Sequence, residues 1–302
     1  MSIVVVGSYV AGLTMQVERF PVVGETISAS SFAEGAGGKG SNQAVAVSRL
    51  GVESAFVGRL GDDRYAEDAE ELWEREGVDA EHAEHVPGAT TGVAFILVDD
   101  QGENQIVVAG GANDTLGRTE VEAARDAIAD ADVLLTQLEI PVEAAEAALD
   151  VANDVGTTAI LNPAPGHDLP SDVVAKADYL TPNESEARVV AGREPDDDVD
   201  DETVARELRE MGAGTVVLTQ GPNGAIALTA DGVESVPAPS VDVVDPTGAG
   251  DAFNAGFAVG LHEGMSLADA MAFGCRVGSL ATTEEEVVPA LPERAAVEAL
   301  EE

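Results

Sequence analysis

The chain has 302 residues and one cysteine, and its 57 acidic against 15 basic residues give a formal net charge of −42. This length suffices for one large α/β domain, and a single cysteine excludes an intrachain disulfide and a cysteine-based zinc site. The acidic balance argues against a nucleic-acid partner, and no apolar run approaches the roughly 18 residues that span a membrane.

The acidic residues are spread over the whole chain and do not form a terminal block. A surface adapted to high salt, where self-repulsion is screened, is therefore favoured over an acidic interaction protein. The N-terminal stretch Met1–Gly7 is apolar and lacks a basic leader. It predicts a buried first strand and not a signal peptide, so we expect a cytoplasmic protein.

Along the chain, apolar β-branched runs alternate with Ala/Glu-rich helical patterns. The predicted strands are Ile3–Gly7, Ala55–Gly58, Val133–Gln137, Thr157–Leu161, Tyr179–Thr181 and Thr215–Thr219. The predicted helices are Ser41–Leu50, Tyr65–Glu76, Thr119–Ala129, Val142–Val155, Glu184–Ala191 and Asp201–Met211. This order predicts one α/β domain over residues 1–302, with a mostly parallel central sheet between two helical layers.

Two stretches lack helical periodicity and look like β-hairpins, namely residues 17–35 and 90–109, the second with a turn at 99–103. We expect a small β-sheet lid built from segments of about 9–35 and 89–110. A lid would exclude water from a transfer reaction. An ordinary extra sheet and a homodimer contact are alternatives, and the contact is compatible with a lid.

The first chemical motif, Ala36–Ala44, is a glycine-rich turn that opens a predicted helix. It is not a Walker A loop, because Lys39 is followed by Gly40 and the leading glycine is missing. Gly38 allows the backbone to approach a polar ligand closely. Lys39 and Asn42 are placed to reach ligand hydroxyls.

Polar residues also follow the later predicted strands, and open α/β sheets bind ligands at such carboxyl ends. Glu139 is either a sugar-contacting acid or an acid at a helix start. Asn183 and Glu186 have the spacing of a helix capping box, and a second interpretation is that their oxygens hold water around Mg²⁺ on a nucleotide. The stretch Thr219–Gly224 is a candidate for phosphate or ribose contacts.

The last and most informative motif runs from Asp245 to Phe257. Gly248, Ala249 and Gly250 permit a sharp turn whose N–H groups point into one concavity at a predicted helix over residues 252–261. Asp251 is then placed to remove a proton from a hydroxyl while the N–H groups hold a transferring phosphoryl group. The alternative is a plain helix cap.

Together, these motifs resemble the ribokinase (PfkB) family of carbohydrate kinases over essentially the whole chain. The early Gly-Gly-Lys-Gly-Ser-Asn-Gln-Ala and the late Asp-Pro-Thr-Gly-Ala-Gly-Asp look like its two signatures. Gln-Leu-Glu, Asn162–Pro165, Thr-Pro-Asn-Glu-Ser-Glu-Ala, Gly102–Asn104 and Gly111–Asn113 look like ribokinase in particular. The resemblance implies the three-layer ribokinase-like fold and an ATP-dependent kinase acting on the primary (5-) hydroxyl of a pentose such as ribose.

By this resemblance, Asp251 is the catalytic base, and Gly248, Ala249 and Gly250 form the anion hole. The implied roles of other residues are sugar binding by Gly38, Lys39, Asn42 and Glu139, organisation of Mg²⁺-ATP by Asn183 and Glu186, nucleotide contact by Thr219, Gly221 and Gly224, and a K⁺ site at Asp245 and Thr247. Cys275 occupies a position near the adenine where relatives commonly carry Asn or His.

The chain departs from the family pattern on the acceptor side. Val10 and Gly12 stand where ribokinases carry the Asn and Asp that hold sugar hydroxyls. Other acceptors are therefore open: 2-deoxyribose, a nucleoside, or ribose 1-phosphate anchored by an arginine such as Arg19, Arg49 or Arg118. Glu284–Glu286 replaces the usual K⁺ loop. A non-catalytic sugar-binding regulator is the remote alternative.

Overall fold

In open α/β sheets, ligand sites form at the carboxyl ends of the strands. A computed structural model describes residues 2–300, and within them thirteen strands form two sheets. The strands are β1 (Ser2–Val6), β2 (Val10–Gln16), β3 (Ser31–Gly37), β4 (Glu53–Leu60), β5 (Val78–His85), β6 (Gly92–Val98), β7 (Asn104–Ala109), β8 (Val133–Thr136), β9 (Thr158–Leu161), β10 (Tyr179–Leu180), β11 (Thr215–Thr219), β12 (Ala225–Leu228) and β13 (Val233–Val236).

The helices connect these strands in the alternating order that the sequence predicts. They are α1 (Lys39–Arg49), α2 (Arg64–Glu76), α3 (Arg118–Ala123), α4 (Arg125–Asp130), α5 (Val142–Val155), α6 (Ser171–Val174), α7 (Glu184–Val190), α8 (Asp201–Glu210), α9 (Ala249–His262), α10 (Leu267–Leu280), α11 (Val287–Ala290) and α12 (Arg294–Ala299). None of these helices, all within residues 2–300, has the length and apolarity that a membrane span requires.

The larger sheet has nine strands in the order β13-β12-β11-β10-β9-β8-β1-β4-β5. Neighbours from β5 to β11 are parallel, and β12 and β13 add an antiparallel edge. Central strand β1 is apolar throughout its buried part, because helices cover both faces of a parallel sheet. Parallel strands bring the segments that follow β1, β8, β9, β10 and β11 to one edge, where ligands bind in such sheets.

Two apolar cores lie on opposite faces of this sheet. One packs α1, α2, α9 and α10 against it, with Trp73 and Phe257 fully buried. The other packs α3 to α8, with Leu149 and Val204 fully buried. The three-layer α/β fold class is therefore confirmed.

A separate four-stranded sheet has the order β3-β2-β6-β7. The expected hairpin at 90–109 is present as β6 and β7. The expected hairpin within 17–35 is wrong, because β3 pairs with the earlier strand β2 and not with residues 17–30. Pro21 and Gly24 lie in that connection, and proline cannot donate a ladder hydrogen bond.

The predicted helix Thr119–Ala129 is divided into α3 and α4. Ala124 leaves helical geometry at φ −89° and ψ 10°, and its N–H contacts the carbonyls of both Glu120 and Val121. The bend keeps Val121, Ala124 and Ile128 in a single buried cluster against α5. Tertiary packing thus overrides a continuous helical pattern.

Candidate active site

Helix α9 begins at the last sequence motif. Its N-cap, Gly248, has a left-handed backbone (φ 81°), and a Cβ there would lie 2.5 Å from Val287 Cγ1. No atom lies within 4 Å of the place a Cβ on Gly250 would occupy, so the turn opens into space. The predicted helix is confirmed and extends to both sides of residues 252–261. In its first turn, the N–H of Ala249 donates to the carbonyl of Pro246 (3.3 Å) and that of Ala252 to the carbonyl of Gly248 (2.9 Å). The N–H groups of Gly250 and Asp251 are left for a ligand at the positive end of the helix, and the expected anion-binding concavity stays a prediction.

Asp251 lies in the first turn of α9 and is buried (4% exposed). Its Oδ2 accepts a hydrogen bond from Asn42 Nδ2 at 2.8 Å, and its Oδ1 accepts one from Gln43 Nε2 at 3.3 Å. Burial raises the pKa of Asp251, and the positive charge of Lys39 and the two amide donors oppose that rise. Asp251 in turn is the main cause of the raised pKa of Lys39. The structure therefore brings Lys39, Asn42 and Asp251 together, although Asn42 and Asp251 are 209 positions apart in the chain.

The start of α1 depends on close backbone approach. Gly38 has φ 90°, and a Cβ there would lie 2.6 Å from the backbone nitrogen of Val10. Glu139 follows β8 and accepts hydrogen bonds at Oε2 from Lys39 N (2.8 Å) and Ser8 Oγ (2.6 Å). Glu139 is thus an acid at a helix start, which is one of the two interpretations of the sequence. The helix in question is α1, and not the helix that follows Glu139 in the chain. Its expected sugar contact stays a prediction.

The acceptor side contains few polar side chains. Val10 is buried in β2, and Gly12 pairs with Gly35 across the two strands. A carboxylate from the loop after α10 approaches this strand pair, since Glu286 Oε2 lies 3.9 Å from the place a Cβ on Gly35 would occupy. Glu286 has a positive φ of 65°, unlike every other non-glycine residue between 2 and 300.

The three arginines suggested as phosphate anchors all have carboxylate partners. Arg19 pairs with Glu25, Arg49 with Glu76 and Arg118 with Asp150. The suggestion is wrong for Arg49, which lies at the last residue of α1, about 15 Å along the helix from Lys39.

An open cleft of about 530 Å³ is lined by Asn183, Thr219 and Gly221 among other residues. Asn183 and Glu186 form the expected capping box: Asn183 Oδ1 accepts from Glu186 N (2.8 Å), and Glu186 Oε2 accepts from Asn183 N (2.9 Å). Burial raises the pKa of Glu186. The positive charge of Lys39 opposes this rise, and the negative charge of Asp251 adds to it. Glu186 is therefore close enough to Lys39 and Asp251 to feel the charge of both.

Two predicted nucleotide residues do not line this cleft. Gly224 is buried with φ 96°, and a Cβ there would lie 2.1 Å from Val236 O, so its observed role is to allow close packing. Cys275 lies on α10 in the core, and burial raises the pKa of its thiol to about 11. Their expected nucleotide contacts stay predictions.

The predicted K⁺ residues share one loop before α9. Asp245 Oδ1 accepts hydrogen bonds from Thr247 Oγ1 (2.6 Å) and Thr247 N (2.9 Å). The carbonyl of Thr282 accepts from the N–H groups of Val244 and Asp245, which joins this loop to the segment leading to Glu286. The loop thus contains carboxylate, hydroxyl and carbonyl oxygens, the ligand type that hard cations prefer, and the expected K⁺ site stays a prediction. Among residues 2–300, no group of three or more His, Cys, Asp or Glu side chains is arranged to hold a metal.

Sequence reasoning missed several residues behind Asp251. Gln43, Asn162, Thr181 and Asn254 are buried polar residues joined to one another or to Asp251 by hydrogen bonds. The available signal was their position, because Asn162 and Thr181 directly follow parallel strands.

Comparison with known proteins identifies the family. Residues 1–294 match the model of the pfkB family carbohydrate kinases. A ribokinase from Haemophilus influenzae is 34% identical over 293 residues, which cover 97% of this chain and 96% of that protein. A deoxyribokinase from Salmonella typhi is 34% identical over 259 residues, 85% of each chain. The solved structure of Arabidopsis thaliana ribokinase complexed with ribose and ATP has a TM-score of 0.92 at 30% identity, covering 99% of this chain and 98% of that one.

Proposed function

The chain belongs to the pfkB family of carbohydrate kinases, and on that basis we propose that it transfers the γ-phosphate of ATP to the primary (5-) hydroxyl of ribose or a close pentose relative. It is an ATP-dependent sugar kinase. The observation that carries the proposed mechanism is the buried carboxylate of Asp251 in the first turn of α9, held by Asn42 and Gln43 beside an open Gly248–Gly250 turn.

In the proposed reaction, Asp251 takes the proton of the acceptor hydroxyl. The resulting oxygen attacks the γ-phosphorus as its bond to the ADP oxygen breaks. The N–H groups of residues 248–250 and the positive end of α9 stabilise the charge on the transferring phosphoryl group. Gly38, Lys39, Asn42 and Glu139 are proposed to hold the sugar, since Asn42 contacts Asp251 and Glu139 contacts the backbone N–H of Lys39 in the same helix start.

Ribose is the first proposed acceptor, because the relatives include ribokinases along nearly the whole chain. A second candidate is 2-deoxyribose, which needs fewer hydroxyl partners. The observations that favour it are the apolar Val10 and the absence of a side chain at Gly12. Ribose 1-phosphate and nucleosides remain further candidates, and no arginine among those suggested supports a phosphate anchor there.

The nucleotide is proposed to bind along the cleft beside Asn183, Thr219 and Gly221. The predicted contacts of Gly224 and Cys275, which do not line that cleft, would require the nucleotide to extend beyond it. Mg²⁺ keeps several waters and binds through few carboxylates plus substrate phosphates. This preference fits Glu186 and Asn183, whose oxygens already serve the capping box and are suited to contact through water. A monovalent cation, K⁺ in particular, is proposed at the loop of Asp245 and Thr247. It would neutralise charge next to the anion hole.

We also propose that the four-stranded sheet is a lid of a single 1–302 domain and the contact of a homodimer. Phe32, Phe95 and Val107 lie on one of its faces by strand register and are 54%, 47% and 69% exposed. Exposed apolar patches of this kind mark interaction sites. Light scattering should give a dimer for the parent and a monomer for Phe95→Glu. Val243→Glu, at another exposed position outside the sheet, is the control, and a monomeric parent would exclude the contact.

The net charge of −42 supports the further proposal of a high-salt environment. A cytoplasmic location stays a prediction from the sequence.

A panel of acceptors tests the proposed activity. ADP release is measured with ribose, 2-deoxyribose, ribose 1-phosphate, fructose 6-phosphate and nucleosides, at high KCl with Mg²⁺-ATP. We expect ribose or 2-deoxyribose to give the highest kcat/KM. Asp251→Asn should abolish turnover and still bind ATP and sugar by calorimetry. Binding without ADP release in the parent protein would instead indicate a non-catalytic sugar-binding regulator.

A further inference from the structure

A run of buried hydrogen bonds leads from Asp251 to a backbone carbonyl just beyond the end of β10. Gln43 Nε2 faces Asp251 Oδ1 at 3.3 Å and Asn162 Oδ1 at 3.2 Å, and Gln43 Oε1 accepts from Gln137 Nε2 at 2.6 Å. Asn162 Nδ2 in turn donates to the carbonyl of Thr181 at 3.0 Å. The side chains of Gln43 and Gln137 are fully buried, so water does not compete for these contacts.

A second run returns from Thr181 to the start of α9. The Thr181 hydroxyl donates to Asn254 Oδ1, and Asn254 Nδ2 donates to the carbonyl of Gly250 at 2.8 Å. Gly250 is bonded to Asp251, so the two runs close into one ring. Thr181 and Asn254 are each 1% exposed. The ring therefore joins the proposed base and the proposed anion hole through the segment that leads to Asn183.

Only one assignment of donors and acceptors satisfies all the hydrogen bonds of this ring. A backbone carbonyl only accepts, so the carbonyl of Thr181 requires the nitrogen of Asn162 and leaves the Asn162 oxygen facing Gln43. Gln43 must then present its nitrogen there, and the second hydrogen on that nitrogen is directed at Asp251. In the same way, the carbonyl of Gly250 requires the nitrogen of Asn254, whose oxygen then accepts from the Thr181 hydroxyl. The carbonyl of Leu161, the other acceptor near that hydroxyl, is more distant at 3.4 Å.

We propose that Gln43, Asn162, Thr181 and Asn254 are positioning residues that keep a donor on Asp251 and fix the Gly250–Asp251 peptide plane. In a trans peptide the N–H points away from the C=O. Holding the Gly250 carbonyl towards Asn254 therefore directs the Asp251 N–H out of the first turn, towards the anion concavity. This inference rests on the proposed function, since it takes Asp251 as the base.

Charged side chains from three other elements of the fold also influence Asp251. They are Lys39 at the start of α1, Glu139 after β8 and Glu186 on α7. The ring variants below leave all three in place. A change in the titration of Asp251 in those variants is therefore assigned to the amide donors and not to a lost charge.

The first arm of the test removes one hydroxyl that does not touch Asp251. Thr181→Val keeps the side-chain shape and the carbonyl of Thr181 but leaves Asn254 Oδ1 without its donor. We expect kcat to fall about tenfold, less than the roughly 10²–10³-fold loss when such a donor is removed outright, with little change in KM for the sugar. Thr181→Ser should restore most of kcat. The matched control is Thr136→Val, whose buried hydroxyl lacks a hydrogen-bond partner in the described chain, and its kinetics should stay at the parent level.

The second arm breaks the ring on the side of the base. Asn162→Leu leaves the Gln43 amide without its acceptor, so that it can rotate and withdraw its donor from Asp251. We expect the acidic limb of the kcat profile to move to higher pH by roughly half a unit to one unit. Infrared titration of the carboxyl band that Asp251→Asn removes should show the same shift without any turnover.

The outcomes separate the two proposals. A parent protein that phosphorylates no sugar contradicts the proposed function, and the infrared titration still decides the inference. An active parent with Thr181→Val equal to Thr136→Val, or Asn162→Leu with an unshifted carboxyl titration, overturns the inference and leaves the function intact. Loss of kcat in Thr181→Val with no rescue by Thr181→Ser would also count against it.

Discussion

Burial disfavours the charged form of Asp251. Its pKa is raised in the folded protein, so the folded state holds the proton more tightly than the unfolded chain does. The cost to stability is absent below the unfolded pKa, grows as the pH rises through the folded pKa, and is complete above it. The ionised form that the proposed mechanism requires is thus held at the expense of stability.

We therefore expect Asp251→Asn to lose turnover and yet raise the free energy of unfolding at neutral pH. The amide keeps the shape of the side chain and carries no buried charge. Urea unfolding at constant salt and varied pH measures the difference, which should narrow as the pH falls through the carboxyl range. If the Asp251→Asn variant is equally or less stable at neutral pH, Lys39 more than offsets the burial of the charge.

Glu286 has a backbone conformation that belongs to glycine. Its φ of 65° and ψ of 156° fall in a region that non-glycine residues avoid at a cost of about 1–3 kcal/mol. We expect Glu286→Gly to stabilise the protein by about 1 kcal/mol, since relief of strain is partly offset by the greater freedom of glycine when unfolded. Denaturant unfolding gives this value.

Glu285→Gly is the control for that substitution. Glu285 is also exposed and does not have a positive φ, so glycine there should be neutral or destabilising. Equal effects of the two substitutions would mean that lost charge repulsion, and not backbone strain, explains the gain.

At the scale of elements, Arg49 joins three of them. From the last residue of α1 it forms two hydrogen bonds with Glu76 at the end of α2 (2.8 and 3.0 Å) and donates to the carbonyls of Val288 and Leu291, both at 2.8 Å. Val287, at the start of the same C-terminal segment, packs beside Gly248. Arg49 therefore supports, from a distance, the C-terminal segment that packs against the Gly248–Gly250 turn.

We expect Arg49→Met to cost about 2–4 kcal/mol, because two carbonyls and a partly buried carboxylate lose a charged donor. Arg75→Met is the matched control. Arg75 contacts the same Glu76 but is 65% exposed, so its loss should cost no more than ~0.5 kcal/mol. Guanidinium unfolding compares the two, and equal losses would refute the role of Arg49.

Elements with local signals were predictable from sequence, and those set by distant partners were not. Helix α5 was predicted to the residue, since Pro141 precedes it and Gly156 ends it in a left-handed cap. The break at Ala124 depends on the surface of α5, against which that segment packs. The pairing of β3 with β2 depends on the sheet that β2 forms with β6. No local pattern contains that information.

The candidate site divides in the same way. Glycine turns and polar residues after strands indicated Gly38, Asn42, Asn183 and Asp251, because the carboxyl ends of parallel strands meet. The ring through Gln43, Asn162 and Asn254 was not predictable. An amide in a sequence does not reveal which distant atom it will face, and Gln43 and Asp251 are 208 positions apart.

At the scale of the whole molecule, the carboxylates far outnumber the groups able to pair with them. Arginines such as Arg59, Arg188 and Arg193 are already held in ion pairs. The remaining repulsion acts over about 10 Å at 0.1 M salt and about 3 Å at 1 M. The folded state is therefore expected to need salt.

We predict that the melting temperature rises by several degrees or more between roughly 0.1 M and 2 M salt, and equally in KCl and NaCl. Activity should instead distinguish the two salts at equal ionic strength if the loop of Asp245 and Thr247 takes K⁺. Differential scanning calorimetry and ADP release measure the two effects. Constant stability across the series would contradict salt adaptation, and equal rates in KCl and NaCl would contradict a selective K⁺ site.

The spacing of the ring along the chain also bears on biosynthesis. Its members come from α1, from the ends of β9 and β10, and from α9, so the ring closes only after residue 254 has left the ribosome. Domains acquire their long-range contacts late, because distant segments must first meet. A nascent or truncated chain that lacks α9 has the glycine turn before α1 but neither Asp251 nor the Gly248–Gly250 turn. Incomplete copies of this protein therefore cannot consume ATP by this route, whatever nucleotide they hold.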